Sequence, residues 1–308
     1  MQTCSDSKKK CEKTYILRSM LFVPGNKEHL INKAAGSAAD ALILDLEDSV
    51  IEASKQEARN IVKKMLKTGI SKKHHIFIRT NDLDSDFVEE DFAQLCLEGV
   101  DGFIVPKSTN EKDIQTFEKI LKKYELQNGF SKDHFKLIPL IETASAVLHA
   151  EEICRASKRV VAIALGSEDF CADIHGIHDE DSKSLLVPRA LIALAARAAG
   201  VIPIDTLHVR VHDLDDLKKN MELARNLGYE GSLLLHPKEI EYAHHYFTPS
   251  REDIEKAELV LKLTGEAEIR NSRVAIIDGV FIGPPMVRQA KQTLQRYKAI
   301  QSWEKRRE

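Results

Sequence analysis

The sequence predicts an α/β fold, a TIM (β/α)8 barrel followed by a C-terminal helix–hairpin–helix extension. Eight short apolar runs alternate with amphipathic segments along the chain. Most of these runs are apolar throughout, as parallel strands covered on both faces are. Alternation of this kind implies right-handed crossovers, and eight units in about 230 residues suit a closed barrel better than a doubly wound sheet.

The runs are SMLFV (19–23), ALILDL (41–46), HIFIR (75–79), GFIV (102–105), KLIPLI (136–141), VVAIAL (160–165), IPIDTL (202–207) and GSLLL (231–235). Pro139 and Pro203 each remove a ladder donor from their run. The segment 55–66 places Ala58, Ile61, Val62 and Leu66 on one helical stripe, and 87–97, 114–124, 144–156, 187–199 and 214–227 repeat the pattern. No Gly-x-Gly-x-x-Gly follows the first run, which removes the usual signal of a dinucleotide-binding sheet. Beyond the barrel, 251–266 reads as a helix, Asp278-Gly279 as the turn of a hairpin, and the chain from Met286 as a basic helix. The expected organisation is a disordered tail at 1–15, the barrel at 16–250, and an extension at 251–308 that serves as a lid or an oligomerisation element.

Hydrophobic residues make up 43% and charged residues 30%, which describes a globular protein with an ample core. Lys and Arg number 45 against 48 Asp and Glu, so the net charge of −3 favours neither nucleic acid nor a membrane surface as partner. The five cysteines are odd in number and include no Cys-x-x-Cys pair, which points to a reducing, cytoplasmic setting. The lysine-rich first fifteen residues lack the apolar core of a signal peptide.

In a barrel of this kind the chemistry sits at the C-terminal ends of the strands. Those ends carry Pro24-Gly25-Asn26, Asp45/Glu47/Asp48, Arg79-Thr80-Asn81, Pro106-Lys107, Glu142-Thr143, Glu168-Asp169 and His236-Pro237; the opposite ends carry no comparable set. Glu142 and Asp169 follow neighbouring strands and can converge on one ion. Oxygen ligands without paired His or Cys favour Mg²⁺ or Mn²⁺ over zinc. Arg79 offers a planar fork that can clamp a carboxylate, unless it simply pairs with Glu142 on the rim. His236, ending the eighth run, is better placed to touch substrate than to bind metal, and His74, His75, His244 and His245 read as packing or surface residues.

The stretches RSMLFVPGN (18–26), ADALILDLEDSV (39–50), KQEAR (55–59), IFIRTN (76–81), GFIVPKS (102–108), PLIET (139–143), ALGSEDFCADIHG (164–176), AARAAGVIPID (195–205), GSLLLHPKEIE (231–241) and FTPS (247–250) resemble the HpcH/HpaI aldolase and citrate lyase beta-subunit family. Within it, the chain is most similar to the stand-alone citramalyl-CoA and malyl-CoA lyases. The resemblance implies a homotrimer or hexamer and Mg²⁺ held by Glu142 and Asp169, with Glu47 and Asp48 on metal-bound waters. It implies that Arg79 and Glu142 bind and act on the oxo-acid part of the substrate. The acyl-CoA would enter over Phe22, Lys33 and His236. The implied reaction is carbon–carbon cleavage of a hydroxyacyl-CoA to acetyl-CoA and a 2-oxo acid. Two alternatives stand beside it: an acyl-carrier-protein-dependent citrate lyase beta-type subunit, and a malyl-CoA thioesterase. The thioesterase alternative draws on one departure from the family pattern, Gly283 in FIGPP (281–285), where the lyases place an aspartate.

Overall fold

Eight parallel strands close on themselves in chain order: β1 (Ser19–Pro24), β2 (Ala41–Asp45), β3 (His75–Arg79), β4 (Gly102–Val105), β5 (Lys136–Ile141), β6 (Ala162–Leu165), β7 (Ile202–Asp205) and β8 (Gly231–Leu234), with β8 pairing back onto β1. The structure is a computed structural model that describes residues 14–177, 183–269, 275–277 and 280–308, with side chains described outside 265–282. Around the strands run α1 (Glu28–Ala35), α2 (Lys55–Leu66), α3 (Val88–Leu95), α4 (Glu111–Gln127), α5 (Ala144–Leu148), α6 (Ala150–Arg155), α7 (Ser167–Asp173), α8 (Lys183–Ala199), α9 (Leu214–Leu227) and α10 (Ile240–Phe247).

Strand periodicity divides the apolar residues between two cores. Met20, Ala41, Ile43, Phe77, Ile104, Ile138, Leu140, Ala162, Ala164, Ile204 and Leu233 fill the barrel interior. Their neighbours in sequence, such as Leu42, Leu44, Ile76, Ile78, Leu137, Ile163 and Leu234, pack outward against the helices. The same alternation decides what reaches the mouth. Two residues beyond the last interior apolar side chain of β2, β3 and β5 stand Asp45, Arg79 and Glu142. Pro139 and Pro203 fall at outward positions, and Pro203 still accepts a 3.0 Å hydrogen bond from the Glu230 amide.

Several expectations need adjusting. The sixth strand begins at Ala162, with Val160 making only an isolated bridge to Leu137. The single helix expected over 144–156 is two, meeting at His149, whose φ of −103° and ψ of 14° interrupt the helical path. Helix α7 lay inside a stretch read as strand end and loop; at seven residues it is too short to show a period of 3.6. Tyr15, placed in the tail, is buried against His75 and Phe77 and so belongs to the packed chain.

The extension consists of α11 (Arg251–Ile269), β9 (Ala275–Ile277), antiparallel β10 (Val280–Ile282) and α12 (Pro284–Arg307). The Asp278-Gly279 turn lies outside the described residues. Helices α11 and α12 pack through Ala257, Val260 and Ala290, flanked by Leu261, Met286, Val287 and Leu294. The end of α12 is fixed to the N-terminal floor of the barrel. There Trp303 stacks on His75 at 4.1 Å and its Nε1 donates to Asp40 Oδ1 at 3.0 Å. Asp40 also accepts from Arg18 Nε and Nη2 at 2.8 and 2.9 Å and from Arg307 Nη1 at 3.1 Å.

Candidate active site

The mouth of the barrel is a cluster of carboxylates threaded by two cations. Arg79 ends β3 with its side chain 11% exposed, and it donates from Nε and Nη2 to Asp45 Oδ1 and Oδ2 at 2.6 and 2.8 Å. Its Nη1 lies 2.9 Å from Glu47 Oε2 and 3.2 Å from Asp48 Oδ2, and its guanidinium sits 4.9 Å from the centre of the Phe22 ring. Burial alone would raise the Asp45 carboxyl. The Arg79 charge and hydrogen bonds from Arg79, Ser49 and Glu47 instead hold it below the usual carboxylate range. The rim pair of Arg79 with Glu142 does not form; Arg79 is closed on the acids that follow β2.

Glu142, buried at the end of β5, accepts from the Lys107 amide at 2.5 Å through Oε1. Its Oε2 approaches the backbone of Gly166 so closely that a Cβ there would lie 2.8 Å away, which is why this position at the base of α7 is glycine. Burial pushes the Glu142 carboxyl up to about 8; the Lys107 amide opposes this, and the charges of Glu47 and Asp169 add to it. Glu47 is likewise raised, to about 7, first by burial. Its two oxygens stand within ion-pair distance of Arg79 and Lys107 (3.2 Å for Lys107 Nζ) yet without hydrogen-bonding geometry. Asp169 is exposed in the first turn of α7. It therefore projects from a helix N-terminus, where the backbone dipole favours an anion, and not directly from a strand.

These acids suit a hard divalent cation. Among the described residues no three His, Cys, Asp or Glu side chains form a closed cage. Magnesium, however, is commonly held by one or two carboxylates with water completing the octahedron. Glu142, repelled by both Glu47 and Asp169, stands in a local excess of negative charge that such an ion would relieve.

Two rim residues that the sequence reading did not assign take part. Lys107 has a left-handed backbone, φ 48°, and its Nζ lies 2.9 Å from Asp82 as well as beside Glu47. Lys55, on α2, is buried beneath the β2 loop and donates to the carbonyls of Leu46 and Glu47 at 2.7 and 2.8 Å. One turn on, Arg59 donates to Asp91 Oδ1 at 2.8 Å, and Asp91 Oδ2 accepts from the Asn81 amide at 2.8 Å, bracing the loop after β3.

His236 and Lys33 form a separate basic group. The His236 Nδ1 accepts from the Lys238 amide at 3.1 Å, capping the turn that follows β8. Burial first, then the charges of Lys238, Lys33 and His212, lowers its basicity. Phe22 is half-buried, with the Arg79 guanidinium over its ring.

A closed eight-stranded barrel with carboxylates, an arginine and a lysine gathered at the C-terminal mouth defines an acid-lined TIM barrel whose candidate site lies where enzymes of this architecture keep theirs. The chain belongs to the HpcH/HpaI aldolase/citrate lyase family, whose pattern matches residues 18–237. It is 32% identical to the citrate lyase subunit beta of Haemophilus influenzae over 92% of this chain and 97% of that protein. It is 31% identical to a (3S)-malyl-CoA thioesterase of Cereibacter sphaeroides, over 92% and 95% of the two chains. Among solved structures it is similar to the CitE protein of Mycobacterium tuberculosis in complex with magnesium, acetoacetate and coenzyme A, with a TM-score of 0.72, 25% identity, and 91% and 97% of the two chains covered. No described helix is long and apolar enough to cross a membrane.

Proposed function

We propose that this protein is a Mg²⁺-dependent carbon–carbon lyase that cleaves a hydroxyacyl-CoA of the citramalyl-CoA or malyl-CoA type to acetyl-CoA and a 2-oxo acid. The observation that carries the reading is the convergence of Glu142, Glu47 and Arg79 at the mouth of the barrel, with Asp169 facing them from α7. Glu142 and Asp169 would hold the ion, and Glu47 and Asp48 would orient water around it. Bound there, Mg²⁺ would act as a Lewis acid toward the hydroxy-acid oxygens of the substrate. Arg79, fixed by Asp45, contributes a positive charge that needs no reorganisation as negative charge develops on the substrate. The basic edge of Lys33, His236 and Lys238 suits the phosphate-bearing part of an acyl-CoA. Assembly into a trimer or hexamer is supported by the outer face of α8, where Val187 and Leu194 are 65% and 67% exposed beside Leu148 of α5 at 77%.

One observation favours a second reading. Gly283 caps α12, at the position where the resemblance to the lyases places an aspartate for protonating the acetyl-CoA carbon. Without it, thioester hydrolysis, or dependence on an acyl-carrier-protein partner, becomes competitive. Mass spectrometry of the purified chain with Mg²⁺ and a panel of hydroxyacyl-CoAs separates the cases. Acetyl-CoA plus a 2-oxo acid marks the lyase and free CoA plus a hydroxy acid marks the thioesterase. Turnover of acyl-carrier-protein thioesters alone marks the subunit.

A further inference from the structure

Lys107 combines three properties that no structural role requires together. Its backbone is left-handed, a conformation that glycine adopts at least cost and that a lysine side chain does nothing to ease. Its amide donates to Glu142 and its ammonium bridges Glu47 and Asp82, so one residue touches the acids that follow β2, β3 and β5. Its side chain is 48% exposed, whereas that of Arg79 is 11% exposed and has its fork closed on Asp45. Resting against Glu47, the ammonium supplies the charge that an ion at Glu142 and Asp169 would otherwise supply. When such an ion is present, the pull of the acid cluster on Lys107 falls, and a flexible, half-exposed ammonium is released next to it. An arginine locked by two parallel hydrogen bonds cannot make that move.

We propose that Lys107 receives the carboxylate of the 2-oxo acid, its ammonium passing from Glu47 to the substrate once a divalent cation is held by Glu142 and Asp169. Cation binding therefore precedes acid binding, and the substrate needs a negative charge within reach of Lys107 Nζ. This rests on the metal assignment made above for the same site.

Titration calorimetry with MgCl₂ alone, then with pyruvate or the uncharged pyruvamide at saturating Mg²⁺, tests it on the wild type, Lys107→Met and Lys107→Gly. Lys107→Gly keeps the amide that bonds Glu142 and relaxes the backbone, and thermal melting of both variants beside the wild type separates misfolding from a lost contact as the cause of any loss. Both variants should bind Mg²⁺ as tightly as the wild type or several-fold tighter, because a competing cation has gone. Both should bind pyruvate at least tenfold more weakly, while the affinity for pyruvamide stays the same in all three proteins. The wild type should bind no pyruvate without Mg²⁺. Undiminished pyruvate affinity in either variant overturns the proposal, as does Mg²⁺-independent pyruvate binding by the wild type. A tenfold loss of Mg²⁺ affinity in both variants also overturns it and assigns Lys107 to the metal site. A wild type that binds no Mg²⁺ at all overturns the metal assignment itself, and this proposal with it.

Discussion

Arg79 and Asp45 form a forked pair across adjacent strands, with two parallel N–H···O bonds of 2.6 and 2.8 Å and both side chains nearly buried. The pair is the lateral tie of the mouth: it joins the end of β3 to the loop that carries Glu47 and Asp48. An arginine in this setting is a structural member as well as a charge at the mouth.

Arg79→Lys should therefore be far from conservative. The ammonium keeps the charge but cannot span both Asp45 oxygens. Turnover should fall tenfold or more, about 1.4 kcal/mol in the barrier, and the thermal midpoint should fall with it. Paired kinetics and calorimetric melting check this; near-normal values of both would remove Arg79 from the site.

Glu142→Ala and Asp169→Ala should each abolish Mg²⁺ binding, measured by titration calorimetry. Their effect on folding should go the other way. Removing Glu142 relieves its repulsion with Glu47 and Asp169, so the midpoint should hold or rise, as is common where function keeps like charges together. Retained metal affinity in both variants would sink the assignment.

Lys55 touches no substrate position and should still matter. Lys55→Met leaves the carbonyls of Leu46 and Glu47 without their donor, at a cost of about 1–3 kcal/mol, and frees the loop that carries Glu47. Stability and Mg²⁺ affinity should drop together. A variant that melts lower but binds Mg²⁺ normally would show that Lys55 serves the fold alone.

Gly283 has φ −131° and ψ 177°, an extended backbone open to any residue. Gly283→Asp is therefore compatible with the chain path, and aspartate is a favoured helix N-cap. If the hairpin delivers this position to a reacting acyl-CoA, carbon–carbon cleavage should rise relative to thioester hydrolysis, by up to about 10²- to 10⁴-fold for a well-placed acid. Assays of both proteins on malyl-CoA, scoring acetyl-CoA against free CoA, decide it. A wild type that already cleaves rapidly would show that no acid is missing.

Asp40 gives a pH prediction. Burial would raise its carboxyl, but Arg18, His244 and Arg307 hold it below the ordinary value. A depressed carboxylate contributes stability that is complete above its unfolded pKa, about 3.9, and is lost as pH falls through the lower folded value. The contribution of Asp40 itself should thus be flat at neutral pH and decline only in strong acid, whereas His244, which burial lowers to about 4, costs stability as pH falls below its ordinary value of about 6.5. Asp40→Asn should lower stability at pH 7 by about 3–5 kcal/mol, because the buried Arg18 loses its forked partner and keeps only Glu304 and Thr248, and should flatten the part of the acid limb that Asp40 causes. Urea unfolding from pH 3 to 7 measures both.

The barrel was legible because its strands are uninterrupted apolar runs, and period-two alternation then carries Asp45, Arg79 and Glu142 to the mouth. What stayed hidden depends on side-chain direction. Arg79 reads equally well as a substrate clamp or a partner of Glu142, and only the geometry shows it closed on Asp45. Lys107 stands among the strand-end residues in the sequence but carries no sign of a role there, because a left-handed non-glycine residue leaves no mark in the sequence. Helix α7 escaped because its seven residues begin straight after a strand, so Asp169 seemed to belong to the strand end. Lys55 sits on a helical stripe otherwise read for its apolar residues, and its contact lies nine positions back along the chain at Leu46.

The seal between Trp303 and Asp40 joins residues 263 positions apart. At ribosomal rates of about 5–20 residues per second, the floor residues of the first strands wait on the order of ten seconds to a minute for the helix that covers them. For the last part of that interval, after Gly231–Leu234 has been made, Arg18, Asp40 and His75 can have the barrel but not its closing contact. Contacts of such long range slow folding, since their loop entropy is lost before they stabilise anything. A chaperone or a neighbouring nascent chain would meet this protein with its floor still open. A chain cut before Trp303 would remain in that state, with a barrel able to form and no means to finish its base.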